Sequence, residues 1–217
     1  MTTLAWVFLV AAAVPAVVNW VAVDREQTSV VYVVKPLTMV LLIGAALALD
    51  PADDAVRAWF VVALVLSLAG DVFLMLPEEN PLPVDAFLLG LGSFLLGHVA
   101  YVVGMAIDHR SWPMTAVGVV LIGAGVGAAL PQILRGVRAQ APEMQVPVLA
   151  YVAVISSMGV AAFGRTVVTG IIGALLFITS DSILAINRFV TPSRVLRVGV
   201  MVTYHLAQAF LVVSLLS

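Results

Sequence analysis

Cysteine is absent from the chain, which removes disulfides, thiolate metal sites, iron–sulfur clusters and a cysteine nucleophile from consideration. Charge is scarce. Only 10% of residues are Asp, Glu, Lys or Arg, against 63% hydrophobic ones, and mean hydropathy is +1.15. A soluble core cannot bury that much apolar surface, whereas repeated membrane spans can. The net charge of −2 is spread over loops without a basic patch, so no nucleic-acid partner is indicated. The basic stretch that opens a signal peptide is also missing. AAAVPA (11–16) resembles a cleavage region, but only MTT stands at the N-terminus, and the first apolar segment is read as a retained span.

What the chain does contain is a succession of apolar runs separated by short charged or proline-containing turns. They predict eight helices, at 4–23, 29–49, 58–76, 86–107, 113–134, 146–163, 167–187 and 195–216, each long enough to cross a bilayer. The expected fold is an all-α integral membrane bundle forming one transmembrane domain over 1–217, with both termini on the same side. Arg25, Arg135, Arg138, Arg188, Arg194 and Arg197 fall on one face, and Arg57, Arg110 and Arg165 on the other. The positive-inside rule puts the first face in the cytoplasm and both termini outside, as in a multi-pass protein of a bacterial-type plasma membrane. Gly123 and Gly127 form a small-xxx-small pair, and Gly90, Gly97 and Gly104 thin one side of the fourth helix; both patterns suit close helix packing in lipid.

Two aspartates interrupt spans that are otherwise apolar: Asp71 in WFVVALVLSLAGDVFLML (59–76) and Asp181 in TVVTGIIGALLFITSDSILAI (166–186). A charge near the bilayer centre costs about 3 kcal/mol on insertion scales, so such residues face a polar cavity and a partner. The two halves of the chain also resemble each other. ALVLSLAGDVFLML (63–76) aligns with GALLFITSDSILAI (173–186), placing Asp71 on Asp181, and GSFLLGHVAY (92–101) aligns with GVMVTYHLAQ (199–208), placing His98 on His205 and Tyr101 on Gln208. The expectation is two parallel four-helix repeats, 1–107 and 113–217, related by an axis along the membrane normal.

Depth arithmetic brings further residues to the same region. At about 1.5 Å per residue, Asp71, Asp181 and Lys35 lie roughly 7–10 Å below the cytoplasmic helix ends, and His98 and His205 roughly 15–18 Å below. Asn19 returns to the shallow level, Tyr32 sits one turn before Lys35, and Tyr101 and Gln208 sit one turn after the histidines. Together with Ser180 and Tyr204 these residues are the candidates for substrate contact around an Asp71–Asp181 pair, whose carboxyls are expected in direct contact or bridged by one water. Plainer readings exist for several of them. Asp71 and Lys35 can form a structural ion pair or Lys35 can snorkel, either histidine can be a hydrogen-bonded core residue, and Ser180 and Ser182 can bond a carbonyl of their own helix. Pro36 is expected to kink the second helix beside the lysine, freeing backbone groups.

The segments KPLTM (35–39), SLAGDVFLM (67–75), FLLGLGSFLLGHVAYVVG (87–104), GALLFITSDSILA (173–185) and YHLAQAFLV (204–212) resemble the recurring blocks of the YhhN family, the lysoplasmalogenases, in order and over nearly the whole chain. That resemblance implies hydrolysis of the vinyl ether bond of a lysophospholipid, a lysoplasmalogen, to a fatty aldehyde and glycerophosphoethanolamine or glycerophosphocholine. It also implies that Asp71 and Asp181 are the catalytic aspartates; Lys35, His98 and Tyr204 fall within family blocks without a role carried over. The chemistry suits a carboxyl pair. Protonating the alkenyl carbon needs an acid, and the resulting oxocarbenium ion needs a nearby carboxylate and a directed water. The reading calls for no metal or other cofactor. Its main rival is a proton-coupled transporter that uses the same carboxylates as a relay; a bis-histidine haem protein, a zinc site on the aspartates and histidines, and a lipid-binding protein without turnover are further alternatives.

Overall fold

The computed structural model describes residues 1–77 and 85–217. Among them are eight α-helices: α1 (Thr3–Asp24), α2 (Thr28–Ala48), α3 (Asp54–Met75), α4 (Ala86–Ile107), α5 (Trp112–Gln140), α6 (Gln145–Arg165), α7 (Val168–Phe189) and α8 (Arg194–Val213). All eight are long and apolar enough to cross a membrane, and no strand occurs among the described residues. The turn expected between the third and fourth spans falls largely in 78–84, outside the described residues.

Local chemistry sets the helix ends. Asp53 Oδ1 accepts from the backbone N–H groups of Ala55 and Val56 at 2.7 and 3.0 Å, which starts α3 at 54 rather than the predicted 58; Thr2, Asp85 and Ser111 cap α1, α4 and α5 in the same way. α2 continues through Pro36 and α5 through Pro131, as bundle helices in lipid tolerate. The largest boundary difference is the end of α5, at Gln140 instead of 134. Ile133 and Val137 are buried there against Val148 and Phe189, so apolar packing carries the helix past Arg135.

The helices associate as sequential neighbours, α1 with α2, α3 with α4, α5 with α6 and α7 with α8, while α4 packs on α6 and α1 on α8. The expected repeat is not confirmed: α1 leans on α8, whereas its would-be counterpart α5 packs on α6 and α7. The glycines of α4 behave as predicted. A Cβ on Gly90, Gly97 or Gly104 would meet Leu74 at 2.7 Å, the Ala63 carbonyl oxygen at 3.2 Å or Phe60 at 2.9 Å, so their absent side chains let α3 approach. Gly123 and Gly127 do not act as a packing pair. A Cβ on either meets nothing within 4 Å, because α5 lies at the rim of the bundle.

At the end of the bundle away from the six arginines, Arg165 ties three segments together. Its guanidinium, 2% exposed, donates to Asp108 Oδ2 at 2.9 Å, Ser214 Oγ at 3.0 Å, and the carbonyls of Ser214 and Ser217, each at 3.0 Å. Arg110 grips the same aspartate through two bonds of 2.8 and 2.7 Å. Burial opposes the charge on Asp108, but the hydrogen bonds and charges of Arg110 and Arg165 outweigh it and hold this carboxyl below the ordinary value of 3.8.

Candidate active site

Near the arginine-rich end, α2, α3, α4, α7 and α8 enclose a cavity of about 370 Å³. Lys35, Asp71, Ser180, Asp181 and Tyr204 line it, with Tyr32 and Arg197 among the residues on its outer part. The depths follow from where each helix meets that face. Lys35 lies seven residues after the start of α2, and Asp71 and Asp181 lie four and eight residues before the ends of α3 and α7, or about 10, 6 and 12 Å of helix rise.

Asp71 is enclosed by donors. Its side chain is 2% exposed and that of Lys35 7%, with Lys35 Nζ 3.0 Å from Asp71 Oδ1. Tyr204 donates its hydroxyl hydrogen to Oδ2 at 2.7 Å, and the Tyr204 hydroxyl oxygen itself lies 3.3 Å from Met39 Sδ. Lys35 is the only lysine in the chain. The structural ion pair weighed from the sequence is therefore present, and it forms part of the cavity wall. Both oxygens of this buried carboxyl are thus engaged, one by an ammonium and one by a phenol.

Asp181 has a different environment. Tyr151 donates to its Oδ2 at 2.5 Å, and His98 Nε2 lies 2.9 Å from the Tyr151 hydroxyl and 3.3 Å from the carboxyl. The Asp181 side chain is 14% exposed and has no lysine or arginine within ion-pair distance. No direct hydrogen bond joins the two carboxyls, so of the two arrangements expected, direct contact or one bridging water, the first is absent; each carboxyl is occupied by its own partners. Phe177, fully buried, stands between the two groups: its ring packs edge-on against Tyr204 at 5.4 Å and against His98 at 4.6 Å. Two carboxyls in unlike settings on one cavity can divide acid and ionic roles.

Several predicted residues lie away from the cavity wall. Tyr101 donates to Gln208 Oε1 at 2.6 Å and both are buried between α4 and α8. His205 accepts at Nδ1 from Trp20 Nε1 at 3.0 Å, the core-histidine alternative, and thereby links α8 to α1. Asn19 is fully buried in α1. Ser180 bonds the Val200 carbonyl of the neighbouring helix at 3.1 Å, whereas Ser182 bonds Ile178 in its own helix. Tyr151 was not among the residues expected at the site. Its signal was available, since it lies six residues into α6 from the same face, or about 9 Å, the level of the aspartates.

The fold and this site define a multi-pass integral membrane protein with an aspartate-bearing cavity sunk within the bundle. A YhhN family model matches residues 30–215, and the chain belongs to that family. It is 28% identical over 174 residues to a lysoplasmalogenase of Mycobacterium tuberculosis, covering 79% of this chain and 65% of the relative; the chain thus spans 65% of the length of that relative. It is 30% identical over 186 residues to lysoplasmalogenase TMEM86B of Homo sapiens, covering 84% and 74%, and 31% identical over 191 residues to the Sus scrofa protein of the same name, covering 88% and 77%. No solved structure matches the chain.

Proposed function

We propose that the protein is a lysoplasmalogenase-like hydrolase, cleaving the vinyl ether bond of a lysophospholipid to a fatty aldehyde and glycerophosphoethanolamine or glycerophosphocholine. One observation carries this reading: in a YhhN chain, both intramembrane aspartates line one cavity beside the only lysine. We place that cavity at the cytoplasmic leaflet with both termini outside, from the arginine asymmetry.

The chemistry divides between the two carboxyls. Asp181 gives its proton to the alkenyl carbon remote from the ether oxygen; the double-bond electrons form the new C–H bond and leave a cation shared by the other carbon and oxygen. Asp71, held by Lys35 and Tyr204, faces that cation across the cavity and stabilises it. Water adds to the cationic carbon and returns a proton to Asp181. The hemiacetal then breaks its bond to the glycerol oxygen, which takes up the hydroxyl proton, and aldehyde is released. Tyr151 and His98 fix the Asp181 carboxyl in place, and Lys35 supplies positive charge toward the phosphate, joined by Arg197 when it exchanges its exposed Glu26 partner for the headgroup.

The test is aldehyde release by purified protein in nanodiscs containing lysoplasmalogen. Asp71→Asn and Asp181→Asn keep side-chain size but cannot act as acid or anion, and each should lower turnover by about 10²-fold or more, the usual scale of lost acid–base catalysis. Near-normal release by either variant, in protein shown to be folded, would refute the assignment.

A further inference from the structure

A second space adjoins the cavity that holds both aspartates, on the α5–α6 side of α7. It is a groove lined almost wholly by apolar side chains, including Leu91 of α4, Val126, Ala129 and Leu130 of α5, Val152 of α6 and Ala185 of α7. Among the described residues its polar lining is limited to the Tyr151, Asp181 and Ser182 side chains. Asp181 and Leu184, one helical turn apart, border both spaces. α4 contributes to both as well, with Leu91 in the groove and Phe94 in the cavity. α4 packs closely on α3 and α6 and α7 on α8 and α6, but α4 and α7 do not pack closely on each other. At the level of the site they meet through His98 against Asp181 and Phe177.

We infer that this groove is the hydrocarbon site of the protein, holding the single chain of a lysophospholipid whose phosphate end occupies the Lys35 and Arg197 side of Asp181. The inference rests on the hydrolase reading and gives that site its second half. The occupant follows from how charge and apolar surface are divided. An amphiphile lying across the Asp181–Leu184 boundary meets hydrocarbon on one side and, on the other, two ion pairs, Lys35 with Asp71 and Arg197 with the exposed Glu26, whose cations a phosphate can share; the bond joining its two parts falls beside the Asp181 carboxyl. A free fatty acid or a phosphate ester without a chain would fill only one of the two spaces. From Ile178 to Phe189 the α7 wall of the groove extends about 16 Å at 1.5 Å per residue, enough for a stretch of extended alkyl chain. On the other wall, α5 packs on α6 and α7 but not closely on α4, so among the described residues the groove is open between α4 and α5, where a lipid in the bilayer can slide in without leaving the hydrocarbon.

Chain length is therefore set by side-chain volume on α5 and α7. Ala129→Phe and Ala185→Phe fill the groove from opposite walls. Each buried methylene contributes about fourfold to affinity (about 0.8 kcal/mol), so displacing two or three lowers long-chain binding by at least about tenfold. The ratio of long-chain to short-chain aldehyde release should fall by that factor in each variant. The same ratio is read in the binding of saturated 1-alkyl lysophospholipids, which carry no vinyl ether. That second readout separates the two ideas: wild-type protein that binds alkyl lysolipids with the predicted length dependence yet releases no aldehyde loses the hydrolase reading and keeps the groove. An alkyl lysophospholipid with a chain-terminal diazirine, photolysed with wild-type protein, needs no variant to fold. Labels within 126–133 and 148–155 that unlabelled lysolipid competes away support the chain site. Labels confined to α1 and α2, or filled-groove variants that are folded and keep the wild-type length profile, overturn it.

Discussion

Removing the Lys35 ammonium should cost more stability than removing both charges of its pair. Lys35 and Asp71 lie 3.0 Å apart with side chains 7% and 2% exposed, so Lys35→Met leaves a buried carboxylate whose remaining donor is the Tyr204 hydroxyl. Breaking such a pair from one side costs about 3–5 kcal/mol; the cavity on one flank admits water, which places the expected cost near about 3 kcal/mol. Asp71→Asn strands the ammonium instead and should cost a similar amount. The double variant buries a methionine beside an amide that still accepts from Tyr204, and should lie within about 2 kcal/mol of the parent protein. The coupling energy is then about 4 kcal/mol (3 + 3 − 2), read from reversible unfolding of the four proteins in mixed micelles. Additive single effects, to within about 0.5 kcal/mol, would show that the two charges do not sense each other and would refute a buried pair at this site.

Tyr151→Phe keeps the ring against His98 but removes the hydroxyl that donates to Asp181; a hydrogen bond to the uncharged acid contributes about 0.5–1.5 kcal/mol, so kcat should fall by about 2- to 10-fold with little change in KM, measured by aldehyde release. The Asp108 carboxyl titrates lower in the folded protein than unfolded, so its stabilising share is present above the ordinary 3.8 and is lost as pH falls through the folded value. Thermal unfolding of Asp108→Asn should accordingly show a flatter acid limb below about pH 4, from a lower starting stability. Gly136→Ala would drive a methyl group into the Phe189 carbonyl where α5 meets α7 and should destabilise by about 1–3 kcal/mol, whereas Gly125→Ala meets nothing within 4 Å and should be neutral or gain up to about 1 kcal/mol of helix propensity; unfolding of the pair distinguishes them.

The spans were legible because a bilayer permits little else: apolar length sets the helices, and only their ends depended on caps such as Asp53 and on the packing of Val137 that prolongs α5. Asp71, Asp181 and Lys35 were legible at the site for a related reason, since helix rise fixes depth and an ionisable group at that depth needs a cavity. Rotation about the helix axis is what depth cannot supply. His205 and Asn19 have plausible depths but point into the α1–α8 side of the bundle, and the Tyr101–Gln208 bond closes on itself. Tyr151 shows the reverse error. An uncharged phenol in an apolar span attracts no notice until its hydroxyl is found on Asp181. Gly123 and Gly127 show that a spacing motif reports a capacity for close approach and not the presence of a neighbour.

The solitary Lys35 makes the protein a simple target for amine chemistry. An activated ester finds a single lysine amine in this sequence, shielded within an ion pair and only 5% accessible. Acylation at Lys35 can proceed only when the pair parts and the amine sheds its proton, so the rate of that single modification, followed by intact mass, measures how often the site opens. A headgroup analogue seated on the cation would slow it, and the native protein would thus carry its own occupancy sensor without an introduced label.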